Sequence, residues 1–148
     1  MNDGIIEELI MQMAALDKRL EYIETVEKNV FSTVTVAGVG QMLGLRLYGW
    51  TELTLSSNTN GVITRNRAVH TVDTYDDQAA GNLDTINGGT RGDILILSAV
   101  HDERTVNLID NDDNLRLAGN MALDTIGDRI MLIYDGSYWY ELARSNNG

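Results

Sequence analysis

Apolar residues near the start of the chain recur at alternating spacings of three and four: Ile6, Leu9, Met13, Leu16, Leu20 and Ile23, with no Pro or Gly from Ile5 to Lys28. This is a heptad seam with Ile6, Met13 and Leu20 at a and Leu9, Leu16 and Ile23 at d. It predicts a helix of about 24 residues, roughly 36 Å long. Two apolar positions per heptad are fewer than a helix packed on its own domain usually shows. The expected partners are therefore copies of itself; the alternative is an amphipathic helix docked on the domain that follows. Arg19 at g and Glu24 at the next e suit parallel helices, each such pair contributing about a few tenths of a kcal/mol. Met13 and Leu20 at a lack the β-branching that favours dimers, which points to a trimer. After Ile23 the next a position is Glu27, while Val26 and Val30 carry the apolar spacing on, so the register slips there.

From Val30 the period changes to two. Val30–Val36, Leu45–Tyr48, Thr51–Ser56, Val62–Thr64, Ala68–Val72, Ile94–Ala99, Thr105–Ile109, Leu115–Ala118, Met121–Asp124, Arg129–Tyr134 and Tyr138–Ala143 all read as strands. Gly49-Trp50 separates two of them, and Tyr75–Asn82 reads as a loop. Asn60-Gly61 is a turn signal, and Asp135-Gly136 is the strongest hairpin signal in the chain. Strands at this spacing predict a mainly β protein, an antiparallel β-sandwich or barrel preceded by a trimeric parallel coiled coil. The expected organisation is a stem over 1–29, a β-rich shoulder over 30–66 and a C-terminal β domain over 67–148.

Two patterns refine this picture. Leu83-Asp84-Thr85-Ile86 recurs as Leu123-Asp124-Thr125-Ile126, each leading to a Gly-Asp and an apolar strand, which predicts equivalent strands in facing sheets. The echo is too short to indicate a solenoid. Ile94-Leu95-Ile96-Leu97 and Ile130-Met131-Leu132-Ile133 are apolar on both faces, where a single small sandwich leaves one face wet. A subunit interface would cover the second.

Composition narrows the functional classes. The 148 residues carry a net charge of -11 with no stretch rich in Lys and Arg, which argues against nucleic acid as a partner. There is no Cys, so thiolate catalysis, thiolate metal sites and disulfides are excluded. No signal-like or membrane-spanning stretch is present, and a soluble protein without membrane insertion is expected.

Candidate chemistry is sparse. His70 lies in a strand-like run and His101 in the turn Val100-His101-Asp102-Glu103; neither stands in a pattern that supplies a nucleophile and base, and no catalytic residue is assigned. The acidic turns offer no carboxylate pair at a spacing that singles out glycoside cleavage. Gly38-Val39-Gly40 lacks the third glycine of a dinucleotide fingerprint, because position 43 is Leu43. Asp110, Asp112 and Asn114 match the first ligand positions of a calcium loop, but Leu115 stands where Gly is needed and Met121 where Glu is needed, so no metal or cofactor is assigned. Arg91-Gly92-Asp93 reads as part of a turn. Trp50, Tyr138, Trp139 and Tyr140 are the candidate ligand-facing aromatics, with Tyr138 and Tyr140 on one face of their strand and Trp139 on the other.

The run His70-Thr71-Val72-Asp73-Thr74, the stretch Asn82–Thr90, Gly92–Leu97, Arg104–Val106, Asn114–Gly119, Leu123-Asp124 and the ending Leu132–Ser145 together resemble a domain that recurs at the C-termini of tail-fibre-like and other virion proteins of tailed phages. The resemblance covers roughly residues 68 to 148. It implies a β-structured, non-enzymatic, trimeric virion protein assembled in the host cytoplasm. The expected role is a short homotrimeric tail fibre or spike engaged in host attachment, contacting tail or baseplate proteins and a host surface glycan. The alternatives are a capsid decoration protein that stabilises the head, and a carbohydrate-binding module.

Overall fold

The computed structural model describes residues 3–28, 47 and 49–147. The chain divides into two compact units, Met1–Leu43 and Gly44–Gly148. In the first, helix α1 (Asp3–Lys28) takes in all six seam positions. The seam side chains Ile6, Leu9, Met13 and Leu16 are each more than half exposed in the single chain. The strand expected over Val30–Val36, the Gly38-Val39-Gly40 break and all of Leu45–Tyr48 except Leu47 lie outside the described residues.

The second unit is built from ten strands: β1 (Gly49–Thr54), β2 (Gly61–Thr64), β3 (Val69–Asp73), β4 (Ala80–Asn87), β5 (Ile94–Ala99), β6 (Thr105–Leu108), β7 (Leu115–Arg116), β8 (Met121–Leu123), β9 (Arg129–Tyr134) and β10 (Trp139–Ser145). They form a first sheet of order β1-β3-β5-β9-β10-β7 and a second of order β2-β4-β6-β8. The chain crosses between the sheets at each of its first five connections. Strands that are neighbours in a sheet are therefore one full coil apart in sequence, and they run parallel: β1 with β3, β3 with β5, β2 with β4 and β4 with β6.

The architecture is thus mainly β but solenoid-like and mixed, and the antiparallel sandwich or barrel expected from strand spacing is corrected. Alternation of period two is the same for both directions of pairing, whereas the crossovers decide which strands meet. Antiparallel strands close the far end, β8 beside β6 and β9 beside β5, followed by the hairpin of β9 with β10. Gly136 at φ 107 makes that hairpin turn, a conformation a side chain would strain.

Apolar rungs run across the coils. Leu53, Val72 and Ala99 align in one, Leu83, Leu108 and Met121 in another, and Leu97 aligns with Ile130 beside His70. Leu55, Leu95, Val106, Leu115, Leu123, Leu132 and Trp139 complete a core that excludes water almost completely. His70 belongs to this core: its Nε2 accepts from the backbone N–H of Arg67 at 3.1 Å, and Nδ1 lies 2.9 Å from the carbonyl of Thr51. That network assigns the proton to Nδ1 and leaves the ring a structural tie between coils.

Two further expectations are revised. The Leu-Asp-Thr-Ile echo does not place equivalent strands in facing sheets: β4 and β8 share the second sheet, and β5 and β9 pair in the first. Each repeat carries the chain from one sheet to the other in the same sense. Ala80, Gly81 and Asn82 form the start of β4 rather than loop. A side chain at Gly81 would collide with Asn58 Oδ1, and the small residues there let the preceding coil close over the strand.

Candidate functional site

Because Leu95, Leu97, Ile130 and Leu132 point into the core, their neighbours in β5 and β9 must point out. Strand register gathers these into two adjacent rows on the outer face of the first sheet. One row runs Val69, Ile96, Met131 and Ala143; the other runs Ile94, Ile133, Tyr140 and Arg116. Ile94 and Tyr140 are about 40 % exposed, and Leu142, the extra residue where β10 bulges, is more exposed still. The second apolar face expected of β5 and β9 is therefore present.

At one end Trp50 extends the face. It is the extra residue between the pairs Gly49–Val69 and Thr51–His70, and it adopts φ 66. A bulge of this kind turns a side chain away from the alternation of its strand. The indole is 59 % exposed, with the Arg129 guanidinium 5.4 Å from its ring centre. A hollow of about 490 Å³ opens here, lined by Leu47, Trp50, Ile96, Arg129, Met131 and Ala143 among others. At the other end Tyr138 and Tyr140 meet edge to face, and Arg116 stacks 3.9 Å from the Tyr138 ring centre.

Of the four aromatics expected to face a ligand, three thus reach one surface and Trp139 does not. It is fully buried, donating Nε1–H to the carbonyl of Ile86 at 3.0 Å and packing 4.9 Å from the Tyr134 ring. Arg129 and Arg116 went unrecognised in the sequence. Their positions beside two-faced strands were the available signal, but their ring contacts depend on the Trp50 bulge and on the pairing of β7 with β10.

Charge sets this face apart. Between Gly44 and Gly148 there are 15 Asp and Glu against 8 Arg, yet neither apolar row contains a carboxylate. Arg65, Arg104 and Arg144 pair with Asp93, with Asp73 and Asp77, and with Glu141. Among the described residues Arg116 and Arg129 form no such pair; each bonds backbone carbonyls and lies over an aromatic ring. The arrangement suits burial against another apolar surface, with two guanidinium groups at its border.

The other large hollow, about 620 Å³, is polar and lies between two coil corners, lined by Asp77, Ala79, His101, Asp102, Glu103 and Arg104. Arg104 is engaged by Asp73 and Asp77, and Asp102 accepts the backbone N–H of Ile126 at 2.7 Å. Asp93 of the Arg-Gly-Asp triplet is likewise bound, by Arg65 and by the N–H of Thr90. Among the described residues no group of three or more His, Asp or Glu side chains stands arranged to hold a metal ion, and no helix is long and apolar enough to cross a membrane.

The far end of the unit is fastened by Asp128, which is fully buried. Its carboxylate accepts N–H groups from Asp124, Thr125 and Asn147 at 3.1, 3.0 and 2.7 Å, tying the chain end to the turn before β9. Burial pushes this carboxyl up, but the N–H groups of Asn147 and Thr125 and the hydrogen bond from the Asp124 side chain outweigh it and hold it below the usual carboxylate range. The stability it contributes is therefore present above that range and is lost as pH falls through its lowered value. Asp128→Ala, which strands three backbone donors, is expected to destabilise the unit by about 2–3 kcal/mol at pH 7. In thermal melts the gap to the wild type should narrow as pH falls through and below the usual carboxylate range, and a gap independent of pH would refute this role.

Compared with known protein families and with curated protein sequences, the chain matches none.

Proposed function

We propose that this chain is a non-enzymatic structural protein of a tailed-phage virion, a short homotrimeric fibre or spike engaged in host attachment. The observation that carries the reading is the outer face of the first sheet: two rows of apolar side chains, free of carboxylates, on a domain that is acidic elsewhere. Copies this negative repel one another over most of their surface and can meet closely only where carboxylates are missing. The uncovered heptad seam of α1 and the resemblance of residues 68–148 to virion domains support the same reading. On this assignment Trp50, Tyr138 and Tyr140 are interface aromatics, and a host-contacting surface lies among the acidic loops.

The face is tested by Ile96→Lys with Met131→Lys. Both positions point outward, so the fold should survive, with unchanged circular dichroism. Two charges placed in an apolar contact should raise the dissociation constant about a hundredfold, the equivalent of roughly 3 kcal/mol. Light scattering across a dilution series would read this; a mass curve identical to that of the wild type would remove the face from the assembly. Location is read by cryo-EM of the particle. Density at the tail or baseplate supports the fibre, whereas copies spread over the head would make this a capsid decoration protein.

A further inference from the structure

In the trimer proposed above, on which this inference rests, contacts are heterologous, so the apolar face of one copy meets a different surface of the next. That surface has to be apolar, to cover the face, and negative, to match the guanidinium at its border. Among the described residues of the β unit, the exposed large apolar side chains Trp50, Ile94, Tyr138, Tyr140 and Leu142 lie on the face itself, and Ile126, whose carbonyl accepts from Arg129, borders it. The one that remains is Tyr75, 51 % exposed.

Tyr75 stands on a rigid corner just beyond β3. Asn58 fastens it on both sides, accepting its backbone N–H at 2.9 Å and donating to its carbonyl at 2.8 Å. Thr74 donates its hydroxyl to the carbonyl of Gln78 at 2.6 Å across the same turn. Asp76 and Asp77 adopt φ 53 and 54, a region that non-glycine residues rarely occupy, and the turn holds them there. Asp77 pairs with Arg104, whereas the carboxylate of Asp76 is exposed and takes part in none of the ion pairs of the described residues. The corner therefore presents an aromatic ring beside an exposed carboxylate, with little ordering left to do on binding.

We infer that this corner of one copy docks in the hollow at Trp50 of the next, the Tyr75 ring lying beside the indole and the Asp76 carboxylate meeting the Arg129 guanidinium. The hollow, of about 490 Å³, is lined largely by apolar side chains and includes Arg129, so it matches both groups of the corner. A carboxylate can enter because the apolar rows hold none to repel it. Two faces laid against each other would instead oppose Arg to Arg, since each end of the face carries a guanidinium. Hollow and corner also sit at opposite ends of one strand. Trp50 lies where β3 begins, between the pairs made by Val69 and His70, and Tyr75 lies two residues past its end at Asp73. At about 3.3 Å per residue they are roughly 18 Å apart. Each copy can thus offer its corner to one neighbour and receive the other's, as a closed ring requires.

The chain has no Cys, so an introduced pair can be read without background. Trp50→Cys with Tyr75→Cys, treated with a short bismaleimide, should run as a covalent trimer on a denaturing gel, because the two sites are too far apart to be bridged within one copy. Either substitution alone should give no cross-link. Covalent dimers from Trp50→Cys alone would overturn the inference, since they report face meeting face. An uncrosslinked double variant that still scatters light as a trimer would overturn it and leave the trimer standing; a monomer would overturn both. Charge gives a second measurement. Asp76→Asn, which keeps a residue tolerant of positive φ, and Arg129→Gln should each raise the dissociation constant about tenfold, and the two together by little more than either alone. Effects that multiply in the double variant would show that the two groups do not meet.

Discussion

Replacing Leu9 and Leu16 together by Asp is expected to leave a chain that scatters light as a monomer, at one third of the wild-type mass, with the β unit still folded. The two side chains occupy successive d positions of the seam and are 56 % and 57 % exposed in the single chain. In a trimer six leucines would be buried at these positions. At about 1.5–3 kcal/mol for each, their loss alone removes on the order of 10 kcal/mol, and six carboxylates in the seam add a desolvation penalty to that. An assembly held by typical non-covalent affinity does not survive such a change. Helix content should fall as well, because most of a helix's stability in a protein comes from packing of its apolar face, which the two substitutions remove. An unchanged mass would sink the coiled-coil reading outright.

Trp139→Ala should be the most damaging single substitution in the β unit, at about 3–5 kcal/mol. The indole is the largest fully buried side chain; it lies against Tyr134 and under Arg65, and its N–H holds the carbonyl of Ile86 across the core. With total stabilities of about 5–15 kcal/mol, much of the margin disappears, and the midpoint should fall by about 15–30 °C. Tyr140→Ala, one residue on, removes a side chain that is 42 % exposed and should change stability by less than about 1 kcal/mol. The contrast separates the two sides of one strand. If Trp139 faced a ligand instead, both substitutions would be mild, and comparable melts of the two variants would show it.

Much of the local structure could be read from the chain. Nine of the ten strands fall where alternation or apolar runs place them, within a few residues, since the β-branched and apolar residues mark them whichever way they pair. β4, the tenth, is absent from the expected strands and begins inside the expected loop, because Ala80, Gly81 and Asn82 show no apolar alternation and become strand only where the preceding coil closes over them. The hairpin at Asp135-Gly136 was legible because a positive φ at Gly and an Asx turn are chemistry of adjacent residues, with Asp135 accepting from the N–H groups of Ser137 and Tyr138. The two-faced apolar character of β5 and β9 was legible for the same reason.

What the sequence determined by itself was periodicity: a heptad helix first, then strands, two of them apolar on both sides. Only the tertiary structure decided which strands are neighbours. Parallel coils and antiparallel hairpins bury the same alternating residues equally well, so the choice rests on where each crossover leads. That choice brings Trp50 and the tyrosines onto one outer face with Arg116 and Arg129, sends Trp139 inside, and sets Thr85 and Ile86 against a turn 28 residues further along the chain. Contacts of that range are made by the stacking of coils, and no local pattern of residues encodes them.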